Sequence, residues 1–304
     1  NRMYCRIHDR YARSVLRASV TTSLTWVRPF LVFIRGGVMQ IAAKIVLALV
    51  VLCDVSTACA DGPRRRILFV GNSYTASHDL PGIFRRIVES TGIAAPEIKS
   101  YAPGGRPLAA QAKDPACTKL IAQGGWDVVV LQGQSQEAAF AEVSPPVRAG
   151  FLTGGRDLAK LVRDASPEAR IVLFQTWARH PDFWGQSQGD PAEGRDAADM
   201  LARNRKWYRV MADAERCEVA PVGEAWLASA TEPDPVPLHS ADHSHPQYAG
   251  SYLAAVVLYG TIYRPEQMKV PFHGSLDGTT AERLQKVAAR VLKANGKPQG
   301  ERPR

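Results

Sequence analysis

Five apolar runs, separated by amphipathic stretches, constrain what this chain can fold into more than any other feature of its sequence. The runs fall at 67–71, 97–102, 127–131, 170–176 and 218–222. The first, third and fourth are nearly unbroken in Val, Ile, Leu and Phe, the pattern of strands buried on both faces of a sheet. Helical periodicity lies over 80–90, 117–123, 147–165, 196–216, 248–259 and 280–295. Strand and helix in alternation predict an α/β fold: a three-layer α/β/α, flavodoxin-like domain around a central parallel five-stranded sheet. Asp79, just before Leu80-Pro81, reads as a helix N-cap with proline in the first turn. Parallel sheets of this kind bind ligands beyond the carboxyl ends of their strands, so chemistry is expected in the loops that follow the runs.

The first sixty residues do not share that pattern. Met39 opens a short stretch ending in Lys44, an apolar run follows over 45–52, and Ala58-Cys59-Ala60 precedes Asp61. A basic start, an apolar stretch of about 7–15 residues and a small-x-small end predict a secretory signal peptide over 39–60, and so a secreted or periplasmic product. A membrane-spanning helix needs about 20 apolar residues, more than this stretch supplies. Neither Cys53 nor Cys59 follows a convincing lipid-attachment motif. Residues 1–38 are Arg-rich and end in Arg35-Gly36-Gly37-Val38-Met39. Two glycine codons there can spell a ribosome-binding site, so 1–38 is expected to be an over-extended gene start without structure. The folded domain is then 61–297, with a disordered tail at 298–304.

Removing the first sixty residues changes the charge argument. The formal charge is +9, but residues 1–60 hold eight of the 38 Lys/Arg and two of the 29 Asp/Glu, which leaves +3 for the rest. The basic excess lies outside the domain, so no nucleic-acid partner is expected, and no stable membrane insertion after cleavage. Cys117 and Cys217 are the cysteines beyond residue 60. They could pair in an oxidising compartment, but they lack the Cys-x-x-Cys or zinc-finger spacing that metal or redox roles would need.

Two short segments carry chemistry. The first run ends in Gly71-Asn72-Ser73-Tyr74-Thr75, placing a serine at a strand's carboxyl end. Alone, Ser73 could equally be a cap or turn residue. Far downstream, Leu238-His239-Ser240-Ala241-Asp242-His243-Ser244-His245-Pro246 precedes a helix. A serine nucleophile needs a base, usually histidine, oriented by a carboxylate, and Asp242 and His245 stand three apart in one loop. Alone, they could equally be an N-cap aspartate and a surface histidine. The segment 178–194 has no clear period and follows a strand end, so it is expected to wall or cover a substrate site.

Together, the Gly71–Thr75 block and the Asp242-x-x-His245-Pro246 block resemble the SGNH/GDSL hydrolase superfamily. The resemblance covers 66–260 and includes 126–135, 175–178 and 220–226, which look like a bacterial branch of it. It implies a serine esterase with Ser73 as nucleophile, His245 as base and Asp242 as its partner, and with no cofactor. It also implies an oxyanion hole built from the N–H groups of Ser73 and Gly105, with Gly104 close behind. A side-chain amide would complete the hole. The superfamily uses Asn there; this chain offers Gln134, with Gln132 as the alternate. Asn72 and Tyr74 stand where the family motif has Asp and Leu. Asn72, Gln132, Trp177 and Trp184 are expected to line the substrate site. Acetylated carbohydrate is the expected substrate class, on the aromatic residues and Arg106 or Arg179 near strand ends. Lipid or lysophospholipid esters are the alternative.

Two other classes compete. A metal-dependent hydrolase could use His239, Asp242, His243 and His245, with His180 joining from the long loop. It lacks a helical His-x3-His pair and leaves Ser73 unexplained, so no metal is expected. A non-catalytic carbohydrate-binding module could use Phe183, Trp184 and Tyr101, but it leaves three aligned catalytic residue types without a role.

Overall fold

The computed structural model describes residues 64–185 and 190–296. The expected gene-start segment 1–38, the signal peptide 39–60 and the tail 298–304 lie outside the described residues. Five strands form one sheet: β1 (Arg66–Val70), β2 (Glu97–Tyr101), β3 (Val128–Leu131), β4 (Arg170–Phe174) and β5 (Glu218–Ala220). All neighbours pair in parallel, in the order β2-β1-β3-β4-β5. The helices are α1 (Ser73–Ala76), α2 (Leu80–Ser90), α3 (Leu108–Gln111), α4 (Pro115–Ile121), α5 (Glu137–Phe140), α6 (Pro145–Ala165), α7 (Asp182–Gly185), α8 (Ala197–Glu215), α9 (Val222–Ala230), α10 (Tyr248–Tyr263) and α11 (Gly278–Asn295).

Alternation along each strand divides the core into two layers. Ile67, Phe69, Val128, Val130, Val172 and Phe174 face one layer, packed against α2, α9, α10 and α11. Leu68, Val70, Val129, Leu131, Ile171 and Leu173 face the other, against α4, α6 and α8. Both faces are covered, which is why the central runs read as continuous apolar sequence. Helix α10 is buried without a break over 249–262, as a helix apolar on every side must be. Asp79 does cap α2, its Oδ1 accepting the Gly82 N–H at 3.2 Å.

The element ends differ from the sequence pattern for local reasons. β4 stops at Phe174 and β5 at Ala220, short of the apolar runs. Pro221 cannot donate to a ladder and instead precedes α9. Helix α6 starts at Pro145 behind an Ser144 N-cap, because prolines in a first turn lose no intrahelical bond. Cys117 and Cys217 are both free, and burial pushes their thiols up to about 12 and about 11. Among the described residues, no helix is long and apolar enough to cross a membrane.

The chain leaves β1 towards β2 on one side and comes back to β3 on the other. This topology opens a crevice beyond the carboxyl ends of β1 and β3, where the loops diverge.

Candidate active site

Three loops meet at that crevice, and the first is locked in place by a small polar cluster. Gly71 N–H continues the sheet by donating to Tyr101 O at 2.8 Å. A Cβ on Gly71 would come within 2.2 Å of Thr75 Oγ1 and 2.9 Å of Gln132 Oε1, so the turn closes tightly only on glycine. Gln132 Oε1 accepts from Asn72 N–H (3.1 Å) and Thr75 Oγ1 (2.8 Å), while Gln132 Nε2 donates to Asn72 Oδ1 (2.9 Å). Asn72 Nδ2 in turn donates to Gly133 O at 3.0 Å. The loop after β1 is thereby fastened to the loop after β3.

Ser73 is the first residue of α1, and Asn72 is its N-cap. At that position a backbone N–H has no intrahelical acceptor. The Ser73 hydroxyl lies 2.9 Å from His245 Nε2, and His245 Nδ1 lies 2.5 Å from Asp242 Oδ2. A carboxylate can only accept, so Nδ1 carries the imidazole proton and Nε2 is left to accept from Ser73. Asp242 Oδ1 also accepts the N–H groups of Ser244 (3.0 Å) and His245 (2.9 Å). Partial burial works against the charge on Asp242. The hydrogen bonds from the His245 ring and these two amides outweigh it, and hold the carboxyl at about 2. The loop carrying both residues is closed by a bridge between His239 and Pro246, with Ser240 N–H donating to His245 O at 2.7 Å.

Beneath the imidazole lies an aromatic column. His245 meets the edge of Tyr74 (5.5 Å between centroids), Tyr74 stacks on Trp177 (4.1 Å), and Trp177 stacks on Trp226 (3.9 Å). Trp177 Nε1 donates to Ser244 O at 3.0 Å, tying the column to the Asp242–His245 loop. Arg179, 7% exposed, donates to the Tyr74 hydroxyl (3.0 Å), to Ser244 Oγ, and through Nε to Glu193 Oε2 (2.9 Å). Glu193 is 1% exposed and also accepts from Gln136 Nε2. Sequence reasoning missed Tyr74, Glu193 and Trp226 as parts of the site. Tyr74 and Trp226 follow strand ends closely and Glu193 lies in the long segment 178–194, but the stacking and the Arg179–Glu193 ion pair that join them are long-range.

Several expected substrate contacts prove to be buried instead. Asn72, Gln132 and Trp177 are 2%, 0% and 1% exposed. Their polar atoms are engaged inside the protein, so they form the floor of the site rather than a surface that a substrate touches. Arg179 is likewise a buried brace. Trp184 is half-buried, its Nε1 donating to Gly194 O at 3.0 Å. Gly105 is exposed in the loop after β2 with φ +68, a conformation that favours glycine. Gln134 curls on its own loop: Nε2 donates to Gln136 Oε1 (3.0 Å), and Oε1 accepts from Gln136 N–H (2.7 Å).

The histidine cluster divides into three. His245 joins Asp242 and Ser73. His239 packs against the edge of Trp226, its Nε2 2.9 Å from Ala178 O, and burial pulls its imidazole down to about 4. His243 faces His180 across 5.3 Å.

Glu137 underlies the loops after both β2 and β3. It is 5% exposed, and its Oε2 accepts the N–H groups of Leu108 (3.2 Å) and Gln134 (3.1 Å). Burial pushes its carboxyl up to about 7 despite those bonds.

Comparison with known proteins supports the architecture. No known protein-family model matches the chain, and no curated protein sequence does. Among solved structures it is similar to a DUF4886 family protein from Bacteroides uniformis, at 17% identity and a TM-score of 0.62, covering 77% of this chain and 96% of that one. It is also similar to a candidate GDSL-like lipase from Parabacteroides merdae, at 16% identity and a TM-score of 0.52, covering 66% and 96%. At these identities the likeness is one of fold.

Proposed function

We propose that this protein is an exported serine ester hydrolase with Ser73 as nucleophile, His245 as general base and Asp242 as the carboxylate that orients the base. One observation carries the reading: an unbroken line of hydrogen bonds, 2.9 Å and then 2.5 Å, from the Ser73 hydroxyl through His245 to Asp242. Such a line activates a hydroxyl that is a poor nucleophile by itself.

In the first step Ser73 Oγ bonds to the ester carbonyl carbon while its proton passes to His245 Nε2. Asp242 stabilises the imidazolium that results. The carbonyl oxygen becomes an oxyanion, met by the N–H of Ser73 and by that of Gly105, neither of which has an acceptor among the described residues. Gln134 Nε2 can join them only by leaving Gln136 Oε1. The C–O bond to the leaving group then breaks, and that oxygen takes the proton from His245. Water next attacks the acyl-Ser73 carbonyl, again giving its proton to His245. The tetrahedral adduct collapses as Ser73 Oγ leaves and recovers that proton, and the carboxylic acid is released.

The site favours short acyl groups on bulky polar alcohols, such as acetylated carbohydrate. The side chains of His245 and Asp242 are 43% and 49% exposed, so a large leaving group can reach them. Among the described residues, the large apolar side chains left exposed are Ile93, Val143, Val210 and Leu227. None belongs to the loops bearing Ser73, Gly105, Gln134 or His245, where a long acyl chain would need apolar cover.

The test is hydrolysis of aryl acetates, aryl laurates and acetylated xylan by the exported protein and its Ser73→Ala variant, with N-terminal sequencing of the exported form. Turnover of acetyl esters, lost in the folded variant, is expected. Undiminished turnover by Ser73→Ala rejects the nucleophile, and preference for laurate over acetate rejects the substrate class.

A further inference from the structure

We propose that His180, Asp182 and His243 form a binding site for a zinc-class divalent cation, beside the Ser73 site and separate from it. One potential ligand atom from each of the three residues lies within 4.8 Å of the other two. The His180 Nδ1–Asp182 Oδ2 separation is already 3.4 Å. Four-coordinate zinc, with ligands at about 2.0–2.1 Å, places its donors about 3.3 Å apart. His180 and His243 are half-buried on loops and Asp182 is exposed at the start of α7, so small rotamer changes can close the remaining gap, His180 Nδ1 giving up the Asp182 N–H that it accepts at 3.2 Å.

The donor set selects the class of ion. Two imidazoles and one carboxylate suit zinc, cobalt or nickel, whereas calcium and magnesium prefer oxygen cages. Three protein ligands leave a fourth position for water. The nearby cation, Arg179, is matched by Glu193 at 2.9 Å, which limits its repulsion of an incoming ion. His239 sits alongside, His180 meeting it edge-on at 5.3 Å, but the ligand atoms that lie within 4.8 Å of one another are those of His180, Asp182 and His243.

The backbone already prepares this junction. His180 N–H donates to His243 O at 3.0 Å, joining the loop after β4 to the turn between Asp242 and His245. His243 holds φ +58, a region uncommon for residues other than glycine, and the turn thereby presents its ring to His180. A bound ion would add a further link between two loops already joined by this backbone bond and by the side chains of Trp177, Arg179 and His239. It would stabilise the folded state without taking part in ester cleavage.

The experiment uses chelator-stripped full protein titrated with zinc chloride by calorimetry, with cobalt(II) absorption reporting coordination. One zinc per chain at micromolar or tighter affinity is expected, together with a raised Tm. His180→Gln and His243→Asn should each weaken binding at least tenfold; asparagine is chosen because it tolerates a left-handed backbone. Ser73→Ala should bind zinc like the parent, so this result stands or falls independently of the esterase reading. Should a histidine variant fail to fold, imidazole NMR of the parent protein decides. Zinc-induced shifts at His180 and His243 support the site. Shifts confined to His78, His239, His245 or His273 overturn it, as does the absence of saturable micromolar binding or binding that survives both substitutions together.

Discussion

Replacing Glu137 by glutamine should remove the loss of stability that this carboxyl imposes as pH rises from about 4.5 through about 7. The carboxyl is 5% exposed, and burial raises it from 4.5 to about 7. In the unfolded chain the same group ionises near its ordinary value. Between those limits the native state holds a proton that the unfolded state has lost. The contribution to stability is therefore complete below about pH 4.5, and is lost as pH rises through about 7. The interval of 2.5 between 4.5 and about 7, at 1.36 kcal/mol for each pH unit, corresponds to about 3 kcal/mol. Glutamine never ionises and can still present an oxygen to the N–H groups of Leu108 and Gln134.

The assay is urea unfolding of both proteins at intervals from about pH 5 to about pH 9, followed by tryptophan fluorescence. Near pH 5 the parent should be as stable as the variant or slightly more so. Near pH 9 the variant should lead by up to about 3 kcal/mol, with most of the divergence complete by about pH 8. Parallel stability curves across the range would refute the reasoning, because they would mean that Glu137 titrates alike in the folded and unfolded chains.

Other perturbations test the proposed role of Ser73 and the architecture around it. Ser73→Ala should lower kcat on aryl acetate by on the order of 10⁴–10⁶, and Asp242→Asn by about 10⁴, with the fold unchanged by circular dichroism. Arg179→Met strands the buried Glu193 carboxylate and should cost about 3–5 kcal/mol in urea unfolding. Adding Glu193→Gln should recover part of that loss in a double-mutant cycle. Gly71→Ala forces the turn against Thr75 and Gln132, so it should cost about 1–3 kcal/mol and lower kcat more than it raises KM. Cys117 and Cys217, with thiols pushed up to about 12 and about 11, should react with a disulfide reagent fully only after denaturation.

The sheet was legible because a strand covered on both faces must be apolar at nearly every position. Val128, Val129, Val130 and Leu131 are all buried, two in each layer, and their sequence could satisfy no solvent-exposed strand. The short helices were not legible for the converse reason. Leu108–Gln111 and Glu137–Phe140 have one turn each, too few residues to establish a period. Their place is set by contacts from elsewhere, such as Glu137 with the Leu108 N–H. Helix α9 was hidden by the strand before it, since Val222 reads as a continuation of 218–221 until Pro221 interrupts the ladder.

In the site, residue type was legible and residue direction was not. Gln132 and Gln134 are the same residue two positions apart, yet one closes an internal ring with Asn72 and Thr75 while the other folds onto Gln136. Nothing in their local sequence separates those fates; the partner that claims Gln132 arrives from sixty residues upstream. The same holds for Trp177 and Arg179, whose types suggest a sugar-binding surface but whose neighbours, Tyr74, Trp226 and Glu193, take them into the interior. The consequence is a division of labour between layers. Large and charged groups are packed beneath the imidazole as a buried floor, while Asp242 and His245 remain about half exposed above it. If Ser73, His245 and Asp242 act as proposed, a packed base under an open rim would fix the angle of proton transfer without enclosing the substrate, as suits removal of a small acyl group from a molecule too large to be buried.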